Sequence, residues 1–288
     1  MSDVTYEDRT GTRFERVRLT GASFEDVHLD GARLHDVDLR GASLRMVDLR
    51  GLRARDVWLE DVDITGDVEN LVINGVDVAP LIDAELDRRD PDRPKMRPTD
   101  AAGYREAWDV VERRWAETVE RARALTPEQL HERVDGEWSF IETLRHLVFA
   151  TDAWVNRALL GDPEPWDALD LPHDDMPDSP PVPRDRDARP TLDQVLALRA
   201  DRMATVRRVV DGLTDEALTA TTEPVLEPGY PEPEPYAVTR ILRTILNEEY
   251  LHRLYAERDL AELSEPAAVA ATPDPTPPSS DAQPATTP

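Results

Sequence analysis

The stretch Ile245-Leu246-Asn247-Glu248-Glu249-Tyr250-Leu251-His252-Arg253 decides how the second half of the chain is read. It lies within an apolar pattern that predicts a helix over 238–260. Ile241, Ile245, Glu248, His252 and Tyr255 recur at helical spacing and so share one face. That face begins apolar and should point inward. Glu248 and His252 stand four apart on it, one turn above the other, a spacing from which two side chains can hold one metal ion. A carboxylate turned toward a core is costly unless it is hydrogen-bonded, paired or coordinated. Two readings follow: a metal-ligating pair, or a Glu–His hydrogen bond that organises a helical bundle.

Upstream of this helix the pattern is helical as well. Thr99 or Asp100 caps a first helix reaching about residue 125, with Trp108, Val111, Trp115, Val119 and Ala122 inward. Thr126-Pro127-Glu128-Gln129 starts a short helical turn. Ser139-Phe140-Ile141-Glu142 is a capping box that opens a second long helix to about residue 160, stopped by Gly161, Pro163 and Pro165. Thr191-Leu192-Asp193-Gln194 opens a third, to about residue 210. The segment 162–190 is rich in Pro and Asp, has no period, and carries Trp166, His173 and Met176. It and the Pro-rich 223–235 read as lids, binding loops or disordered connections. Four helices with such loops predict an antiparallel four-helix bundle over 99–262. Residues 263–288, mostly Ala, Pro, Thr and Ser, predict a disordered tail.

A third ligand is sought on the second helix. Phe140, Leu144, Leu147, Thr151, Trp154 and Ala158 define its main apolar stripe. His146 falls nearly opposite, on a face of small apolar residues with Phe149, Ala150 and Ala153. From periodicity alone it reads as a half-buried structural histidine rather than as a ligand.

The amino-terminal part is organised differently. A large apolar residue recurs every five positions: Phe14, Leu19, Phe24, Leu29, Leu34, Leu39, Leu44 and Leu49, then Ala54, Leu59 and Ile64. Smaller residues precede most of them by two, as at Val17, Ala22, Val27 and Ala32. Gly21, Gly31, Gly41 and Gly51 add a ten-residue beat. A period of five fits neither an amphipathic helix nor a simple strand; it fits a stacked solenoid. This segment, about 10–66, resembles the pentapeptide-repeat proteins. The resemblance implies a right-handed quadrilateral β-helix with four pentads to a coil. A hairpin about Asn74-Gly75 and a short helix over 79–86 would close it, giving a domain 1–87. Residues 88–98, with Pro91, Pro94 and Pro98 among charges, read as a linker.

The totals narrow the function. The chain of 288 residues has a net charge of −26, which repels nucleic acid and anionic membranes. There is no cysteine, so a metal must be held by His and carboxylate oxygen. The polar, acidic start is no signal peptide and no apolar run reaches membrane-spanning length, so a cytoplasmic protein is expected.

Trp138-Ser139-Phe140 leading into Leu144-Arg145-His146-Leu147, then Asn247-Glu248-Glu249-Tyr250-Leu251-His252-Arg253, resembles the DinB/YfiT-like superfamily of metal-binding four-helix bundles. Its members place one His in the second helix and a His-x-x-x-His pair in the last long one. His146 and His252 occupy two of those positions, and Glu248 stands where the first His of the pair would be. A His/Glu/His set on zinc characterises the mycothiol-dependent maleylpyruvate isomerase branch. The resemblance therefore implies His146, Glu248 and His252 as ligands of a divalent metal, zinc by that comparison. It also implies a low-molecular-weight thiol such as mycothiol. Such a donor set leaves one coordination position open, as in catalytic sites. Tyr250 and Tyr255 are expected as proton-transfer groups; Glu249 reads rather as a packed or solvated side chain. Three functions are compatible: a thiol-dependent S-transferase or isomerase acting on a small molecule, a metal-dependent hydrolase, and a non-catalytic binding protein. The repeat domain would serve as a docking surface for a protein partner or for self-association.

Overall fold

The computed structural model describes residues 14–264, apart from 26, 30, 46, 56, 58, 59, 67 and 175. Leu59 of the pentad series and the expected tail beyond 264 lie outside the described residues. The chain divides into two compact units, residues 1–71 and 72–288.

In the first unit β1 (Phe14–Arg18), β3 (Arg33–Asp38) and β5 (Arg53–Arg55) pair in parallel, in that order. Strands β2 (Ser23–Glu25) and β4 (Ser43–Arg45) form a second parallel pair. Each pairing joins residues twenty apart, Val17 with Val37, Leu34 with Ala54 and Phe24 with Leu44. Twenty residues is four pentads, so each apolar position stacks on its own kind. Gly21, Gly31, Gly41 and Gly51 take φ values of +69, +66, +63 and +70. The ten-residue beat thus marks turns that need left-handed backbone, where a Cβ would add strain. Leu19, Phe24, Leu29, Leu34 and Leu39 are half-buried, whereas Leu44 and Leu49 are exposed. No described residue of this unit is fully buried. Its cohesion comes largely from backbone bonds between coils, such as Leu19 N–H to the Asp38 carbonyl at 2.8 Å.

The second unit opens with a hairpin, β6 (Val72–Ile73) against β7 (Val76–Asp77). Asn74 and Gly75 both have positive φ, as a tight hairpin turn requires. Helix α1 (Ala79–Arg89) has no fully buried residue. A 3-10 turn at Arg93–Met96 then sends Met96 into the core. Asp90 and Asp92 hold this segment to helix α2 (Ala101–Ala122) by accepting hydrogen bonds from Arg114 at 2.9 and 3.0 Å. Short α3 (Pro127–Leu130), α4 (Phe140–Thr151), α5 (Leu192–Asp211), short α6 (Asp215–Leu218) and α7 (Val238–Ser264) follow. The capping boxes at Thr126, Ser139 and Thr191 form as read, with both reciprocal bonds present. Helices α2 and α4 each pack on both α5 and α7, around Trp108, Leu144, Leu147, Val195, Val206 and Ile245. Among the described residues no helix is long and apolar enough to cross a membrane.

Two expectations for α4 need correction. Every residue of α4 is buried, including Glu142, Arg145 and His146, so it has no wet face. The distinction between a main stripe and an opposite face loses its meaning there. The α-winding expected to about residue 160 ends at Thr151, and Asp152–Leu159 is wound as a π-helix. The wider turn rotates the register. Trp154, expected inside, is half-buried, while Asp152 is wholly buried and paired with Arg202 at 2.8 Å.

Two buried arginines of this helix gather the long loops. Arg145 donates to the carbonyls of Leu169 at 2.9 Å and Asp185 at 2.5 Å, both in 162–190. Arg157 donates to the carbonyl of Pro163 at 2.7 Å and to that of Glu227 in 223–235. Gly229 passes so close that a Cβ there would lie 2.8 Å from Arg157 Cζ. Both loops are therefore drawn onto the helix that carries His146.

Candidate metal centre

Helix α7 supplies two groups and α4 the third. Glu248 Oε2 lies 3.1 Å from His252 Nε2, one turn along α7, and 3.2 Å from His146 Nε2. The three donor atoms lie within 4.8 Å of one another. A tetrahedral ion with bonds of about 2.0–2.1 Å needs donors about 3.3 Å apart, so the two measured separations suit one. His146 side chain is 7% exposed, His252 19% and Glu248 29%, so the trio opens to solvent on the α7 side.

The hydrogen bonding of His146 favours a cation here. Its Nδ1 lies 2.9 Å from the Leu171 carbonyl, which can only accept, so Nδ1 carries the proton. In a neutral ring Nε2 is then a lone pair, yet it faces the Glu248 carboxylate. Two acceptors meet unless a cation or a second proton stands between them. The Leu171 carbonyl, brought up by the 162–190 loop, is the kind of partner that fixes the orientation of a ligating imidazole.

Burial alone would push the Glu248 carboxyl up. Where the two imidazoles are protonated, their hydrogen bonds and charges outweigh it and hold the group well below the usual carboxylate range. Glu248 is thus a carboxylate at neutral pH, as a metal ligand must be.

Aromatic rings surround the trio. Trp138 stacks parallel to His252 at 5.9 Å and lies 4.6 Å from His146. Tyr255 meets His252 edge-on at 5.9 Å and is itself exposed. Phe149 lies 5.9 Å from His146 and leads to Trp166 and Tyr230 from the two loops. The structure does not bring Tyr250 to this group: its hydroxyl donates to Asp90 at 3.0 Å. Glu249 is turned the other way, fully buried in a bidentate pair with Arg199 at 2.7 and 2.9 Å. In the sequence Trp138 stands out only as part of the Trp138-Ser139-Phe140 motif, and Tyr230 falls outside any periodic pattern. The available signal was an aromatic residue set in a Pro-rich loop, at Gly229-Tyr230-Pro231.

A helical unit that converges two imidazoles and a carboxylate from two helices defines a class of protein built to hold an ion between helices. The chain belongs to the DinB superfamily, which matches residues 111–256. Pentapeptide repeats match residues 10–45 and 29–66, in 8 copies. Neither a curated protein nor a solved structure matches the chain.

Proposed function

We propose that this protein is a metal-dependent enzyme that uses a low-molecular-weight thiol of the mycothiol type, as an S-transferase or isomerase of a small electrophile. In this reading residues 99–262 are an antiparallel four-helix bundle, and the pentads form a quadrilateral β-helix that docks a protein partner or a second copy. His146, Glu248 and His252 would hold a divalent ion, zinc by the chemistry of two nitrogens and one oxygen. When bound, such an ion lowers the pKa of a thiol or a water, making a nucleophile at neutral pH. The observation that carries the reading is the meeting of two imidazole Nε2 atoms on one oxygen of Glu248.

The chain's own residues supply the rest. Leu171 fixes the tautomer of His146 by accepting from Nδ1. Trp138 covers both imidazoles and limits their rotation. Tyr255, edge-on to His252, would exchange a proton with a bound group. The protein has no cysteine, so the thiol must come from a co-substrate. The solvent-open side of Glu248 and His252 also suits a hydrolase that uses water.

The test is elemental analysis of protein purified without added metal, followed by assays of model electrophiles with and without mycothiol. About one zinc per chain and turnover that requires the thiol are expected. Turnover without thiol would move the assignment to hydrolysis. A metal-free protein that zinc does not bind would remove the enzyme reading altogether.

A further inference from the structure

We infer that Tyr230 is the substrate-binding hydrogen-bond donor of this centre, and that its ligand has a flat, unsaturated or aromatic body carrying a carbonyl oxygen. The inference rests on the metal-dependent reading above and names the class of molecule that site admits.

Tyr230 comes from the 223–235 loop and is held from three directions. Its ring stacks on Phe149 at 5.8 Å and meets Trp154 and His173 edge-on at 6.0 and 5.8 Å. Phe149 in turn abuts His146. The Glu248 carboxylate acts on the Tyr230 phenol, so the phenol stands within the field of the trio. Of the other tyrosines of this unit, Tyr104 is sealed in the core on α2, beside Arg243, and the rest differ from Tyr230 in partner or exposure. Tyr236 donates to the Glu232 carbonyl at 2.8 Å, Tyr250 donates to Asp90, and Tyr255 is exposed. The Tyr230 hydroxyl makes no hydrogen bond to any described residue, although its ring is half-buried. Trp166 adds to this aromatic wall: its ring stacks on Phe149 at 6.1 Å. The Tyr230 hydroxyl is not among the sealed, unpartnered groups of the core, so an acceptor carried by a ligand can reach it. Rings prefer to stack, offset or edge-on, against other flat π systems, so the wall selects a planar body over a saturated one of equal size. Arg157 holds the loop that presents Tyr230, which gives the donor a fixed position.

The test uses the full-length protein, zinc-loaded and metal-free, titrated with trans-cinnamamide and with its saturated counterpart 3-cyclohexylpropanamide, following tryptophan fluorescence. Both probes are neutral and carry the same carbonyl. Cinnamamide is expected to bind at least about fivefold more tightly than the saturated amide. Tyr230→Phe keeps the ring contacts and removes only the hydroxyl. It should weaken cinnamamide about fivefold, the effect of one net hydrogen bond, and leave zinc affinity unchanged. Equal affinity of Tyr230→Phe and wild type for cinnamamide, equal affinity for the two amides, or no binding of either would overturn the inference. The two readings fail separately. Wild-type protein that takes up no zinc, yet loses cinnamamide in Tyr230→Phe, would remove the metal-dependent enzyme and keep this donor. Zinc uptake with cinnamamide binding indifferent to Tyr230 would do the reverse.

Discussion

At the scale of single residues, neighbours on one helix have opposite duties. Glu248 faces the imidazoles, while Glu249 turns away into the core and neutralises Arg199, which also lies 5.2 Å over the Trp115 ring. Loss of a supporting partner of a metal ligand costs about 10–100-fold in affinity. If the trio holds zinc as proposed, His252→Ala removes a ligand itself and should weaken zinc binding by at least about 100-fold, read by competition with a chromophoric chelator. Its urea midpoint should stay close to wild type, because the His252 side chain is partly exposed, at 19%. Glu249→Ala should do the opposite. It strands a buried guanidinium and is expected to cost about 3–5 kcal/mol in urea unfolding. Glu249→Leu combined with Arg199→Met should recover most of that loss. The Glu-x-x-x-His pair was legible because helical spacing is a local rule. The separate fate of Glu249 was not, since it depends on an arginine fifty positions away on α5.

At the scale of elements, caps and loops set the geometry. The Ser139 box opens α4 in a buried place, where Glu142 also pairs with Arg133 at 2.5 Å. Ser139→Ala should lower stability by about 1–2 kcal/mol, and the more exposed Thr191→Ala by less than about 1 kcal/mol, both measured in urea. The 162–190 loop carries a wholly buried Asp170. Its carboxyl is pushed up to about 9 by burial and by the nearby negative charge of Asp152. Asp170 Oδ2 accepts from Asp167 N–H at 3.1 Å, and Oδ1 has no hydrogen-bond partner among the described residues. The group is therefore neutral at pH 7 in the folded chain and ionised in the unfolded one. The folded state holds the extra proton, so stability is full below about 4 and falls as pH rises toward 9. Asp170→Asn should flatten that decline, seen as a smaller difference between urea midpoints at pH values near 6 and 8.5. Capping boxes and the pentad beat could be read from sequence because each is a rule over a few residues. The π-wound stretch and the complete burial of α4 could not. A sequence pattern that assumes one wet face misjudges a helix surrounded on every side.

At the scale of the whole molecule, all three donors of the trio belong to the unit 72–288. A chain lacking residues 1–71 should keep the zinc affinity of the full chain in calorimetric titration. A marked fall would mean that the repeat unit supports the centre. The period of five declared the repeat unit plainly, because every coil restates it. The centre is written less openly: His146 and Glu248 lie 102 positions apart in the chain. A ribosome releases α4 long before α7 exists, and a half-made chain has only one hand of the grip. Ion capture would accordingly be among the last acts of maturation, a clasp fastened after the garment is whole. Stripping the ion from finished protein should first loosen the seam between α4 and α7, leaving the far ends of both helices undisturbed.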